Sequence, residues 1–98
     1  MIAVIAKLTV KPEKKEKALE TIQTLMKHVA EEEGTVSYSV NMSDQEPDTL
    51  VFIEHYRDMD ALSAHSESPH FKEFMKQSAE FAAARPEITV YNQIASIY

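Results

Sequence analysis

Hydrophobic and polar positions change period several times along the chain. Residues 2–10 alternate, with Ile2, Val4, Ala6, Leu8 and Val10 on one side and Ala3, Ile5, Lys7 and Thr9 on the other. This is the period of a strand, with a second face that is still half apolar. Lys11-Pro12-Glu13 turns the chain, and Pro12 suits the first position of a helix. Residues 13–33 then follow helical period. Ala18, Ile22, Leu25, Met26 and Val29 form a stripe, Leu19 and Ala30 widen it, and the opposite face is Lys and Glu. Gly34, the only glycine, is expected to end this helix as its left-handed residue.

Alternation returns in residues 35–42, with Val36, Tyr38, Val40 and Met42 expected inward and Ser37, Ser39 and Asn41 outward. A polar turn, residues 43–48, leads into the apolar run of residues 50–56, so these two strands are expected to form a hairpin. Asp58 is a ready N-cap for a short helix carrying Ala61, Leu62 and His65. Ser68-Pro69 stops that helix and starts the next, because Pro is tolerated at a first turn and not inside. Phe71, Phe74, Met75, Ser78 and Ala82 stripe the last helix, which should end before Arg85-Pro86. Residues 88–97 alternate again, Ile88, Val90 and Ile94 against Tyr91, Ala95 and Ile97.

The order strand, helix, strand, strand, broken helix, strand is the βαββαβ, ferredoxin-like arrangement. It predicts an α+β fold: one four-stranded antiparallel sheet with the helices on one face. The other face would then carry Ala3, Ile5, Val51, Ile53, Tyr91, Ala95 and Ile97. Apolar surface of that extent marks an interface. A homodimer packed sheet against sheet is the expected solution.

Composition narrows the picture. At 98 residues the chain is expected to be one domain, 1–98. Sixteen acids against ten bases give a net charge of −6, which argues against nucleic acid or an anionic membrane as partner. There is no cysteine, hence no disulfide, no zinc–thiolate site and no thiol nucleophile. The apolar start lacks a basic region and meets Lys7 too soon for a secretory signal or a membrane span, so a cytoplasmic protein is expected.

Three of the four histidines lie in residues 50–71, with Glu54 and Tyr56. Glu54 and Tyr56 share a strand face with Leu50 and Phe52, and a carboxylate in such company must be paired, bonded or near an opening. It is either a structural acid or part of a site. His65 falls three to four residues from Ala61 and Leu62, so it should face inward, where an imidazole either closes the core or serves as acid or base. His70, in the first turn after Pro69, is expected to be exposed or capping, and His28 to lie on the surface. His55 points to the other sheet face. No metal pattern is evident: His65 and His70 are five apart across a broken helix, and HExxH and EF-hand spacings are absent. A phosphate loop is excluded by the single glycine, and no serine nucleophile elbow is present. Phe52, Phe71, Phe74 and Met75 are the candidate substrate-binding side chains, with Phe71 and Phe74 otherwise core residues.

At these residues the chain resembles a known family. Glu54-x-Tyr56-x-Asp58-x-x-Ala61-x-x-x-His65-x-x-Ser68-Pro69-His70-Phe71 looks like the signature of the antibiotic biosynthesis monooxygenase (ABM) domain, a dimeric α+β barrel. Glu32-Glu33-Gly34 is similar to that family's helix-ending motif. The resemblance implies a cavity between sheet and helices, in which oxygenase members oxidise quinol-like aromatics with O2 and no cofactor. His65 would then lie on the cavity wall as base or oxyanion partner, Tyr56 would orient the substrate ring, and Glu54 would hold the local network. The haem-degrading branch has Asn, Trp and His where Ala6, Tyr56 and Met75 appear here, which disfavours haem chemistry, although Met can ligate iron. The spacing is also similar to that of a branch that isomerises a phosphorylated autoinducer-2 derivative. That chemistry would need a cation in the cavity, from Arg57, Lys72 or Lys76. A non-catalytic dimer that binds small ligands is the third alternative.

Overall fold

The structure is a computed structural model that describes residues 1–97; residue 98, the last of the expected domain, lies outside the described residues. Strand β1 spans Ile2–Thr9, followed by a 3-10 turn over Pro12–Lys14 and helix α1, Lys15–Val29. Strands β2 (Thr35–Ser43) and β3 (Glu46–Tyr56) form the hairpin. Helices α2 (Met59–Glu67) and α3 (Pro69–Ser78) follow, and β4 is Glu87–Asn92. The sheet order is β2-β3-β1-β4, all neighbours antiparallel, as a ferredoxin-like fold requires.

Register fixes the faces. Ile2, Val4 and Leu8 pair with Tyr56, Glu54 and Leu50, and all six are buried under the helices. The stripe of α1 meets them with Ala18, Ile22, Leu25 and Val29, and α3 adds Phe74. Local chemistry sets the helix boundaries as expected. The Asp58 carboxylate accepts the Ala61 N–H at 2.8 Å, and the Ser68 hydroxyl accepts the Phe71 N–H at 3.2 Å. Pro69 occupies the first turn of α3, where its missing N–H costs nothing.

Several expectations are corrected. Helix α1 stops at Val29, with Leu19 and Ala30 on its exposed side. No glycine has positive φ, so Gly34 is not a left-handed cap. It is there for close approach: a Cβ on Gly34 would lie 2.4 Å from the Ala61 Cβ. A register shift between Thr35 and Ser37 turns Val36 outward and leaves Thr35 opposite Tyr56. Met42 is exposed as well. Helix α3 ends at Ser78, so Ala82 lies beyond it, bridged to Val10, and fully buried Phe81 joins the core in its place. Strand β4 ends at Asn92, so Ile94, Ala95 and Ile97 belong to neither sheet face; Ile94 and Ile97 are 97% and 98% exposed.

The face away from the helices carries Ala3, Ile5, Val51, Ile53 and Tyr91, with Ile53 39% and Tyr91 48% exposed. Among the described residues no helix is long and apolar enough to cross a membrane.

Candidate active site

A hollow of about 80 Å³ lies between the sheet and α2–α3. Phe52, Phe71, Phe74 and Met75, the four expected substrate-binding side chains, all line it. Glu54 and His65 are the acid and imidazole in its wall, and Tyr38, Leu62 and Ile88 complete much of the rest. Its interior is dominated by aromatic and aliphatic groups, and Met75, Lys7 and Ile88 are exposed at its rim. Tilted and edge-on rings build the wall: Phe71 lies 4.9 Å and Tyr38 5.7 Å from the His65 ring, and Phe52 6.4 Å from Phe74.

Helix α2 delivers His65 because Asp58 fixes where the helix starts, and His65 falls one turn after Ala61, on the face toward the sheet. Its side chain is 3% exposed. Nδ1 faces the Glu32 carboxylate, at 2.9 Å from Oε2 and 3.0 Å from Oε1. Nε2 is buried and has no hydrogen-bond partner. His65 lines the hollow and Glu32 does not. When the ring is neutral and Nδ1–H donates to the carboxylate, Nε2 carries the lone pair.

The pattern of residues did not single out Glu32. After Val29 the chain continues in tight turns, Glu31 N–H to His28 O at 3.1 Å and Glu32 N–H to Val29 O at 3.0 Å. Of three consecutive acids only Glu32 is turned inward. The Thr35 hydroxyl donates to its Oε1 at 2.5 Å, and His70 Nε2 donates to its Oε2. His70 is therefore half-buried and engaged, where an exposed or capping residue was expected. His28 is exposed as expected, and its ring stacks on His70 at 5.5 Å. The one available signal was Glu32-Glu33-Gly34 before β2. Burial alone would raise the Glu32 carboxyl, but the bonds from Thr35, His70 and His65 and the His65 charge together hold it below the usual carboxylate range.

Glu54 has the opposite balance. Burial pushes its carboxyl above the usual range, although the Tyr56 hydroxyl donates to Oε1 at 2.6 Å and the His65 charge also pulls it down. Tyr56 is fully buried and does not line the hollow. Tyr56 was expected to orient a substrate ring; its own ring lies 5.3 Å from the His65 ring, and its hydroxyl is bonded to Glu54. Burial, then the Glu54 carboxylate, push the Tyr56 phenol upward, so its proton stays on. His55 faces the other side of the sheet, as expected, where it bonds the Ser37 hydroxyl at 2.9 Å.

The profile of the family described as "Antibiotic biosynthesis monooxygenase" matches residues 1–77. The chain belongs to this family. An uncharacterized Synechocystis protein, sll1783, is 34% identical over 92% of this chain, which spans 61% of that protein's length. A Bacillus subtilis relative named "Putative monooxygenase YcnE" is 36% identical, covering 86% of this chain and 88% of its own. Among solved structures, a conserved protein from Methanosarcina mazei superposes with a TM-score of 0.90 at 33% identity, covering 94% of this chain and 91% of its own. Rv0793 from Mycobacterium tuberculosis gives 0.92 at 26%, covering 99% and 98%. Family membership agrees with a monooxygenase-like role and places the signature residues 54–71 inside the matched span. Of the three haem-branch positions, Ala6 and Met75 line the hollow and Tyr56 sits behind it.

Proposed function

We propose that this ABM-family chain oxidises a small phenolic or quinol-type substrate with O2, using His65 as the base. The observation that carries this is the unpartnered Nε2 of a buried imidazole in an apolar wall, with a carboxylate on its other nitrogen. In such a pair the carboxylate orients the ring and stabilises the imidazolium formed when the base takes a proton. Nε2 takes the substrate hydroxyl proton, and the resulting anion becomes electron-rich at carbon. That carbon forms a bond to O2 and becomes a hydroperoxide, protonated by His65. The O–O bond then breaks, and water leaves with the ring hydrogen. For a hydroquinone the product is a hydroxyquinone, with one more oxygen and two fewer hydrogens, and the ring has supplied all four electrons.

The hollow limits the substrate's size. At about 80 Å³ it is about half the ~150 Å³ apolar cavity known to accept benzene, so it takes in part of a single ring while the rest projects through the open rim. A phosphorylated sugar suits it less. Arg57, Lys72 and Lys76 are absent from the lining, Arg57 lies against Asp58 at 3.6 Å, and the lining cation is Lys7 at the exposed rim. The same proposal takes the functional unit as a homodimer joined through the sheet face. Ile53 and Tyr91, together with the exposed Ile94 and Ile97 beyond β4, are apolar surface that a second copy would cover.

Oxygen uptake with a panel of single-ring hydroquinones is the test. His65→Ala should lower turnover ~10²–10⁴-fold, the range for loss of a general base. A loss below about tenfold would remove His65 from the chemistry. Turnover that persists without O2 and carries solvent deuterium into product would replace oxidation by isomerisation. Saturable binding with no turnover of any panel member would leave a binding protein.

A further inference from the structure

Glu32, His65 and His70 each offer one ligand atom, and the three lie within 4.8 Å of one another. Their spacing in sequence hides this. His65 closes α2 and His70 opens α3, and the Ser68-Pro69 break swings the two rings onto one carboxylate. Two imidazoles and a carboxylate suit zinc and its first-row neighbours.

We propose that Glu32, His65 Nδ1 and His70 Nε2 form a binding site for a divalent transition metal of the zinc class. A tetrahedral centre with bonds of ~2.0–2.2 Å sets its ligand atoms about 3.3–3.6 Å apart. The His65 Nδ1 contacts to Glu32, 2.9 and 3.0 Å, reach that spacing by opening a few tenths of an ångström. The outer shell is in place, because the Thr35 hydroxyl holds Oε1 and fixes the carboxylate plane. There is also a way in. A groove of about 470 Å³ between α1 and α3 is lined by His70, His28 and Thr24, so the fourth position would open to water there. A metal on Nδ1 leaves the ring proton on Nε2, so metal binding and base action at His65 exclude each other. That last consequence rests on the proposed function; binding itself does not.

The simpler account is three groups that satisfy one another by hydrogen bonds. Titration of the chain with Zn2+ and Co2+, read by calorimetry and by cobalt absorption, separates the two. One equivalent should bind. His70→Ala and Glu32→Gln should weaken binding by more than about a hundredfold, beyond the loss typical of an outer-shell partner, and Thr35→Val by about tenfold. His55→Ala, on the far sheet face, should leave it unchanged. On the unmodified protein, which bypasses any folding defect, Co2+ should shift the ring protons of His65 and His70 and spare those of His55. Failure to bind one equivalent, equal affinity in His70→Ala, or paramagnetic shifts centred on His55 would each overturn the site. None of these readouts uses enzyme activity, so the metal site and the oxidase chemistry fail separately.

Discussion

Replacing Gly34 with alanine probes the packing that sets the position of the site. Gly34 has ordinary negative φ, so alanine can adopt its backbone, which by itself would stabilise by ~0.4–1 kcal/mol through the unfolded state. Against this stands a contact. The new Cβ would sit 2.4 Å from the Ala61 Cβ and 3.3 Å from its Cα. Carbon atoms rest at about 3.5–4.0 Å, so α2 must retreat by roughly 1–1.5 Å. Overpacking of this kind costs ~1–3 kcal/mol. The retreat also strains the Arg57 N–H to Gly34 O bond, 2.9 Å long, a net ~0.5–1.5 kcal/mol interaction. A net loss of about 1–3 kcal/mol is expected. Ala61→Gly alone should cost up to ~1 kcal/mol in helix propensity, but it removes the obstructing methyl. In its presence Gly34→Ala should become neutral or stabilising. Urea unfolding of the four proteins, followed by circular dichroism, yields the coupling energy, expected at about 1–3 kcal/mol. Independent sites add within ~0.3–0.5 kcal/mol, so a coupling in that range would refute the close-approach account of Gly34.

Three further outcomes are expected. Burial raises the Glu54 carboxyl above its unfolded value, so its stabilising contribution is complete below that value and is lost as pH climbs through the folded one. Glu54→Gln keeps an oxygen for the Tyr56 hydroxyl, so its urea midpoint should gain on the wild type between about pH 4 and pH 8. A pH-independent difference would contradict the raised carboxyl. Phe81→Ala empties a fully buried position and should cost about 3–5 kcal/mol, seen as a lower thermal or urea midpoint; a loss under about 1 kcal/mol would show that Phe81 is not a core residue. Ile53→Glu, which puts a charge in the middle of the sheet face, should convert the proposed dimer to monomer in sedimentation; wild type that is already monomeric at micromolar concentration removes the dimer instead.

What could be read from the chain was what local chemistry decides. Two-residue alternation placed Leu50, Phe52, Glu54 and Tyr56 on the covered face, and hydrogen bonding within a few residues placed Asp58 and Ser68 at the helix starts. The strand period placed Phe52, and the helical period Phe71, Phe74 and Met75, on the sides that line the hollow. The failures share a different cause. Val36 alternates as an inward residue, but one extra residue in the pairing reverses it, and nothing in its neighbours announces a bulge. Phe81 lies after the helix stripe has ended, in a segment tied to the end of β1 and the residues just past it: Ala83 N–H bonds Thr9 O, Ala82 bridges Val10, and Lys11 N–H bonds Phe81 O. Ile94 and Ile97 continue an alternation with no strand left to pair with. Glu32 is one of three consecutive acids, and its histidine partners lie 33 and 38 residues away.

That last miss shows why the site is harder to read than the fold. A face is specified by repetition, so one misassigned residue changes little. The His65–Glu32 pair is specified once, by where three chain breaks fall. Helix α1 has to end at Val29 for its tight turns to carry Glu32 inward, and Gly34 has to lack a Cβ for α2 to come close enough. Ser68-Pro69 has to interrupt the helix between His65 and His70, since an unbroken helix places residues five apart about 140° round its axis. Two of the three are also packing necessities: a helix that cannot pass a proline and a backbone pressed against Ala61. Placement of the imidazole is thus tied to stability, and variants that loosen these breaks should weaken the Nδ1–carboxylate contact and the fold together. Thr35→Val tests where the two part, because it frees one carboxylate oxygen while leaving all three breaks intact. It should leave the unfolding free energy within ~0.5–1.5 kcal/mol of wild type, the range for one hydrogen bond, while the His65 ring-proton resonance moves. An unmoved resonance would mean that the Thr35 bond does not hold Glu32 in place for the imidazole.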